Sequence, residues 1–198
     1  MQKKNSGDGG FTMIEMLIVV TIIMVISAMA APNIMSSVRL VRLRGAASSM
    51  VNIFEQARQL AVRNNRGYVV LPVVNGGQTY WYIDLNNNQT MDAGEPVVVL
   101  PPSVSAAAAP PSAASLSLPN GTNYYQVATQ TGPAFNTRGL PCYITANSCV
   151  NYNPATQNYE NFVYYLQDNG FGGTLYMAVT VAPTGKIKIW KWNNTWTM

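Results

Sequence analysis

The chain has 198 residues, enough for one globular head and a long helix but too few for two large domains. Charged residues make up 10%, against about 25% in ordinary soluble domains, the net charge is +4, and there is no histidine. Histidine general-base chemistry and histidine-ligated zinc are thereby excluded, and no dense basic face announces nucleic acid.

Residues 1–10, MQKKNSGDGG, form a short polar leader carrying Lys3 and Lys4, and residues 16–38 hold no charge. At a rise of about 1.5 Å per residue, such a stretch can cross a hydrocarbon core of about 30 Å. Gly9 and Gly10 precede the apolar run, so cleavage there leaves that run on the mature chain, unlike cleavage of a secretory signal. Lys3 and Lys4 keep the N-terminus cytoplasmic and send the remainder outward. An uncut signal anchor shares these features. Glu15 separates the two readings, because a carboxylate just inside a membrane helix is costly and calls for a partner.

Gly10, Phe11, Thr12, Glu15 and the apolar run resemble the class III signal of type IV prepilins. The resemblance implies cleavage after Gly10 by a prepilin peptidase and methylation of the new Phe11 amine. It further implies that Glu15 pairs with the terminal amine of a neighbouring subunit, neutralising both charges in an apolar fibre core and setting the register. The family's helix-bending proline falls on Pro32, twenty-second counting from Phe11. Lacking an amide hydrogen, Pro32 is expected to bend or locally melt the helix.

Arg39, Arg42 and Arg44 then mark the exit from the bilayer, with lipid recognition as the alternative. The helix is expected to continue, since Ala47, Met50, Phe54, Ala57 and Ala61 recur at steps of three and four opposite Ser48, Asn52, Glu55, Gln59 and Arg63. Asn64, Asn65 and Gly67 end it. Strands are expected over 68–74, 79–85, 97–100, 124–128, 162–166, 175–181 and 186–192, with turns at Asn75-Gly76-Gly77 and Pro183-Thr184-Gly185. The Pro, Ala and Ser-rich stretch 101–119 reads as a partly extended insertion with little core of its own, and 147–161 is rich in Asn, Tyr and Gln. The expected fold class is α+β, a long N-terminal helix packed on an antiparallel sheet. Its parts are a leader (1–10), a transmembrane half-helix (11–38), a periplasmic half-helix (39–66) and a β-sheet head (67–198).

Three head segments narrow the resemblance to the GspH/FimT kind of minor pilin or pseudopilin. DLNNNQTMDAGE (84–95) is similar to that family's acidic loop before a strand, FNTRGLP (135–141) to its Phe-x-x-x-Gly strand and turn, and APTGKIKI (182–189) to its closing hairpin. The stretch 101–119 matches no feature of the family. The resemblance implies a single-pass inner-membrane subunit with its head in the periplasm, taken up by an assembly platform into a type IV pilus or a type II secretion pseudopilus. Its partners would be other pilins, and no cofactor would be required.

Cys142 and Cys149 are the only cysteines, and in an oxidising compartment a structural disulfide is expected, stabilising by about 2 to 3 kcal/mol. Two buried thiols or a redox pair are the alternatives, although redox pairs usually stand as Cys-x-x-Cys. Asp84, Asn86, Asn88, Thr90, Asp92 and Glu95 occupy positions 1, 3, 5, 7, 9 and 12 of a calcium-loop spacing, against which Gln89 stands where that loop wants glycine. The alternative there is a polar hairpin loop. On the last long strand Lys186, Lys188, Trp190 and Trp192 share one face and could meet phosphates and bases, while Ile187 and Ile189 face the core. The plainer account is lysines that block edge pairing and tryptophans covered by Trp196. No nucleophile beside a base, carboxylate pair or phosphate loop stands out, Asp168 and Glu160 being isolated, so no enzyme is expected. A structural subunit, a DNA-capturing pilin and an adhesive tip subunit are the competing functions, all sharing the same N-terminal segment.

Overall fold

A computed structural model describes residues 10–110, 115–126, 132–145, 148–153, 158–170 and 173–198. The leader residues Lys3 and Lys4, the end of the expected strand 124–128 and parts of the segment 147–161 lie outside the described residues. The expected α+β arrangement is present: one helix, α1 (Met13–Arg63), and antiparallel sheets. Two compact units divide between Val38 and Arg39.

In the first unit the apolar side chains of α1 are exposed on every side, among them Leu17, Ile18, Ile22 and Ile26. By length and composition this helix can cross a membrane, and none of its most apolar window is buried within the chain. The backbone stays helical through Pro32, so the local melting expected there does not occur. The carbonyl of Ala28, four residues earlier, simply lacks its usual donor.

The second unit, Arg39–Met198, has its own core. Its strands are β1 (Tyr68–Asn75), β2 (Gln78–Asp84), β3 (Val97–Val99), β4 (Val104–Ala107), β5 (Tyr125–Gln126), β6 (Ala134–Phe135) and β7 (Pro141–Thr145), followed by β8 (Ser148–Val150), β9 (Tyr152–Asn153), β10 (Asn158–Tyr159), β11 (Phe162–Gly170), β12 (Gly173–Val181), β13 (Ile187–Trp192) and β14 (Trp196–Thr197). One sheet runs β3-β2-β1-β6-β7-β8 and the other β14-β13-β12-β11-β4, with β5 parallel to β11. The β1–β2 turn forms at Gly76 and Gly77, whose φ values of 58° and 77° meet the need of a two-residue hairpin for positive φ at both central positions.

The stretch 101–119 departs from expectation. Within it β4 pairs with β11, Ser105 opposite Gln167, and Val104 and Leu116 are buried. Alanine and serine carry little strand propensity, so only the distant partner reveals this strand.

The stripe read from the helical period is the one that is buried. Leu43, Ala46, Ala47, Met50, Ile53, Phe54, Ala57 and Ala61 join Val70, Trp81, Ile83, Phe135, Leu166 and Val179 in one core. Each large side chain so buried contributes about 1.5 to 3 kcal/mol, while the alanines let both sheets approach the helix closely. Phe54, Trp81 and Tyr164 meet at its centre, with Trp81 and Tyr164 edge to face at 4.8 Å.

Arg39 is not the exposed marker of a membrane exit that its position suggested; Arg42 and Arg44 are exposed, but Arg39 is buried. Its Nε donates to Asp168 Oδ1 at 2.7 Å, and its Nη2 donates to the carbonyls of Asp168 at 2.6 Å and Gly173 at 2.8 Å. A Cβ on Gly170 would stand 2.7 Å from Arg39 Nε, so only glycine leaves room for the guanidinium. Asp168 is 1% exposed, and its Oδ2 has no partner among the described residues. Arg39→Ala would strand a buried carboxylate and is expected to destabilise the chain by about 3 to 5 kcal/mol, with Asp168→Leu in the same chain recovering part of the loss. Chemical denaturation in detergent, followed by tryptophan fluorescence, measures both.

Candidate functional site

The N-terminal end of α1 is built by a reciprocal cap. Thr12 precedes the first helical residue, its Oγ1 accepting the amide of Glu15 at 3.3 Å, while its own amide donates to Glu15 Oε2 at 3.4 Å. Both bonds are long, so the carboxylate is held at the positive end of the helix dipole without being locked there. A cation of better geometry can draw it away. Thr12 belongs to the signal by sequence, and its capping role was legible there too, since Thr-x-x-Glu before an apolar run is the signature of a capping box. Gly10 and Phe11 are exposed just ahead of the cap, Phe11 by 78%, in a segment open to a processing enzyme.

Residues 5–31 match the model of the prokaryotic N-terminal methylation motif, the prepilin signal. The chain begins as a type IV pilin-like protein does. The match spans the leader, Glu15 and most of the apolar run, and it ends well before the head. No curated protein and no solved structure matches the chain. The α+β layout of the pilin-like head accordingly rests on the architecture itself.

Within the pilin-like head, Cys142 and Cys149 are joined in a disulfide, with Cα atoms 5.3 Å apart, closing the β7–β8 hairpin. Cys149 lies against Gly67, where an added Cβ would stand 3.2 Å from that of the cysteine, so the bridge backs the joint between helix and sheet.

The six positions of the calcium spacing fall in one loop between β2 and β3, closed by its own hydrogen bonds. Asp84 Oδ1 accepts the amides of Asn87 at 2.6 Å and Asn88 at 3.2 Å, and Oδ2 accepts that of Gln89 at 2.8 Å. Glu95 accepts the amides of Leu85 at 2.8 Å and Asp92 at 3.0 Å. Asn86 and Asn88 both donate to Asp92, holding its carboxyl below the usual range. Gln89 has φ 61°, so the backbone takes the left-handed form there despite the missing glycine. Among the described residues no three His, Cys, Asp or Glu are grouped as a metal shell. Burial, and next the carboxylates of Asp84, Glu95 and Asp92, push the Tyr82 hydroxyl above its ordinary value.

On β13 the expected alternation holds: Ile187 and Ile189 pack against the main core, and the other face carries Lys188, Trp190 and Trp192. Trp190 is not free to stack on a base. It packs against a second cluster of Leu116, Val163, Tyr165 and Ala178, and its Nε1 donates to Thr180 Oγ1 at 2.9 Å. Trp192 lies 5.0 Å from Trp196, and Lys188 Nζ stands 5.4 Å over the Trp190 ring. Lys186 is exposed just ahead of the strand.

Asp84 is the member of these sites with the clearest energetic consequence. Asp84→Ala removes an acceptor shared by three amides and is expected to cost about 2 kcal/mol, and Asp84→Asn, which keeps one acceptor oxygen, about half of that. Thermal unfolding of the two variants beside the wild type gives the comparison.

Proposed function

We propose that this chain is a structural minor pilin or pseudopilin, anchored in the inner membrane by residues 11–38 with its head in the periplasm, and added to a filament after prepilin processing. The observation that carries this reading is the N-terminal methylation motif running directly into an apolar helix whose membrane-length window has no cover within the chain. Such a surface requires lipid before assembly and neighbouring helices after it. Glu15 fits the transition between the two. In the membrane its carboxylate is occupied by the Thr12 cap, and in the filament it would turn to the Phe11 amine of the next subunit, a full charge in place of two long hydrogen bonds. Prepilin peptidase, an inner-membrane assembly platform and other pilins are the partners this requires. On this reading the work is done by the helix and by contact surfaces.

Mass spectrometry of protein recovered from membranes of cells with active prepilin peptidase should show a chain starting at methylated Phe11; an intact Met1 terminus would refute the reading. Glu15→Ala should leave membrane insertion unchanged, because an intramembrane charge is lost, and should abolish recovery in sheared filaments or pseudopili. Wild-type yields of the variant in that fraction would rule out the pairing.

A further inference from the structure

Tyrosine in a folded chain is ordinarily half-buried, with its ring packed and its hydroxyl wet. Three tyrosines of the head depart from this: Tyr125 is 63%, Tyr152 43% and Tyr159 59% exposed. They stand together. Tyr152 and Tyr159 are opposite each other across the β9–β10 pair, their ring centroids 5.5 Å apart and their planes at 70°. Asn161, itself buried, ties the third ring to them, since its Oδ1 accepts the Tyr125 amide at 2.8 Å and its Nδ2 donates to the Tyr159 carbonyl at 3.2 Å. The backbone beneath is fixed as well. Asn151 Nδ2 donates to the Pro141 carbonyl at 2.7 Å, the Asn151 carbonyl accepts the Glu160 amide at 2.8 Å, and the Cys142–Cys149 bridge closes the hairpin that leads into β9. Exposed rings already held in place lose little further freedom when a ligand binds, which favours binding.

These rings lie at the end of the head away from the entry of α1. β11 finishes at Gly170 against Arg39, whereas Tyr125 pairs with Phe162, the first residue of β11. At about 3.3 Å per residue the two ends of that strand are about 26 Å apart. The chemistry around the rings selects the ligand. From Pro96 to Tyr159 the one charged residue is Arg138, in the turn that meets Arg58, and the next, Glu160, is buried. Single-stranded nucleic acid also stacks on aromatic rings, but it needs cations along its backbone. A docking protein needs a dry apolar centre, whereas the side chains that fix these rings are carboxamides. A neutral sugar fits both features. Its ring has an apolar face of C–H bonds, which stacks on an aromatic ring, and an edge of hydroxyls, which bonds to phenols and carboxamides. We infer that Tyr125, Tyr152 and Tyr159 form a binding surface for a neutral polysaccharide. The surface belongs to the head alone, so it goes beyond the filament-subunit reading and does not depend on it.

The test is calorimetric titration of the full chain in phospholipid nanodiscs, which avoid sugar-based detergents. The titrants are the hexasaccharides of α-linked glucose, β-linked glucose, mannose and N-acetylglucosamine. At least one should bind with a Kd of about 1 mM or tighter. Raising the salt from about 50 to 500 mM should leave that affinity unchanged, because no phosphate is neutralised. Tyr152→Ala with Tyr159→Ala should weaken binding about tenfold or more, and Tyr152→Phe with Tyr159→Phe, which keeps both rings, less than about threefold. Disulfide formation and the unfolding temperature verify that each variant folds. Absence of binding by every one of these sugars at about 10 mM would overturn the proposal. So would an affinity that the alanine pair leaves unchanged, or binding of oligothymidylate to these rings in place of the sugars.

Discussion

Phe54, Trp81 and Tyr164 come from the helix, the first sheet and the second sheet, and they touch one another at the middle of the head. The two edge-to-face pairs, Phe54–Trp81 and Trp81–Tyr164, contribute about 0.5 to 1.5 kcal/mol each beyond the burial of the rings. Their larger effect is geometric, since fixing three rings fixes the spacing of three layers. Ala46, Ala47, Ala57 and Ala61 keep the helix surface low on either side of Phe54, so both sheets reach it without leaving a gap. Removing a methyl group here would open a cavity shared by all three layers. Burial also pushes the Tyr164 hydroxyl well above its ordinary value, which keeps the ring neutral at any pH the head meets in a cell.

The helix that supplies Phe54 must be stable in two media. Up to Val38 the described apolar side chains are exposed, and beyond that point one apolar stripe is buried. A helix apolar all round is unstable in water, and one with a polar back is unstable in lipid, so the change of pattern has to coincide with the change of surroundings. Arg39 stands at the change. Its guanidinium is held by a carboxylate and two carbonyls of the β11–β12 hairpin, so that hairpin grips the first turn of the head portion. The registry of α1 against its sheets is specified by that polar contact as well as by packing, the best attested use of a buried ion pair.

Features governed by local chemistry were readable in the sequence. The membrane-length run, the Glu15 spacing, the stripe from Ala47 to Ala61, the Gly76-Gly77 turn and the long strands each depend on neighbours within a few residues. Features decided by distant partners were not. Arg39 and Asp168 lie 129 positions apart, and nothing in the local sequence of either marks the pair. β4 is a strand because β11 offers it an edge, and β6, β9 and β10 are two-residue pairings that register alone creates. Trp190 shows the limit from the other side: alternation placed it on the correct face, but whether that face was bare or covered depended on Leu116, which lies in the stretch read as having little core of its own.

That covering also explains how the stretch 101–119 can have a composition so poor in large side chains. β4 extends the sheet beside β11, and Leu116 needs only to lie over the sheet's outer side, where Ala107, Leu116 and Tyr124 meet Tyr165, Ala178 and Trp190. Small residues suffice because the rings are supplied by the sheet. The two other segments that resembled pilin heads converge on a different point. FNTRGLP contributes Gly139 and APTGKIKI contributes Gly185, both with positive φ, and their turns close over Arg58 from the two sheets. A side chain on either glycine would collide with Arg58 or with the other turn, and positive φ already disfavours one. Each sheet is thereby pinned to α1 by one glycine turn, next to the helix end that the disulfide backs through Gly67. With Arg39 at one end of the buried stripe and Arg58 near the other, the head portion of the helix is held by the second sheet where it begins and by a turn from each sheet near where it ends.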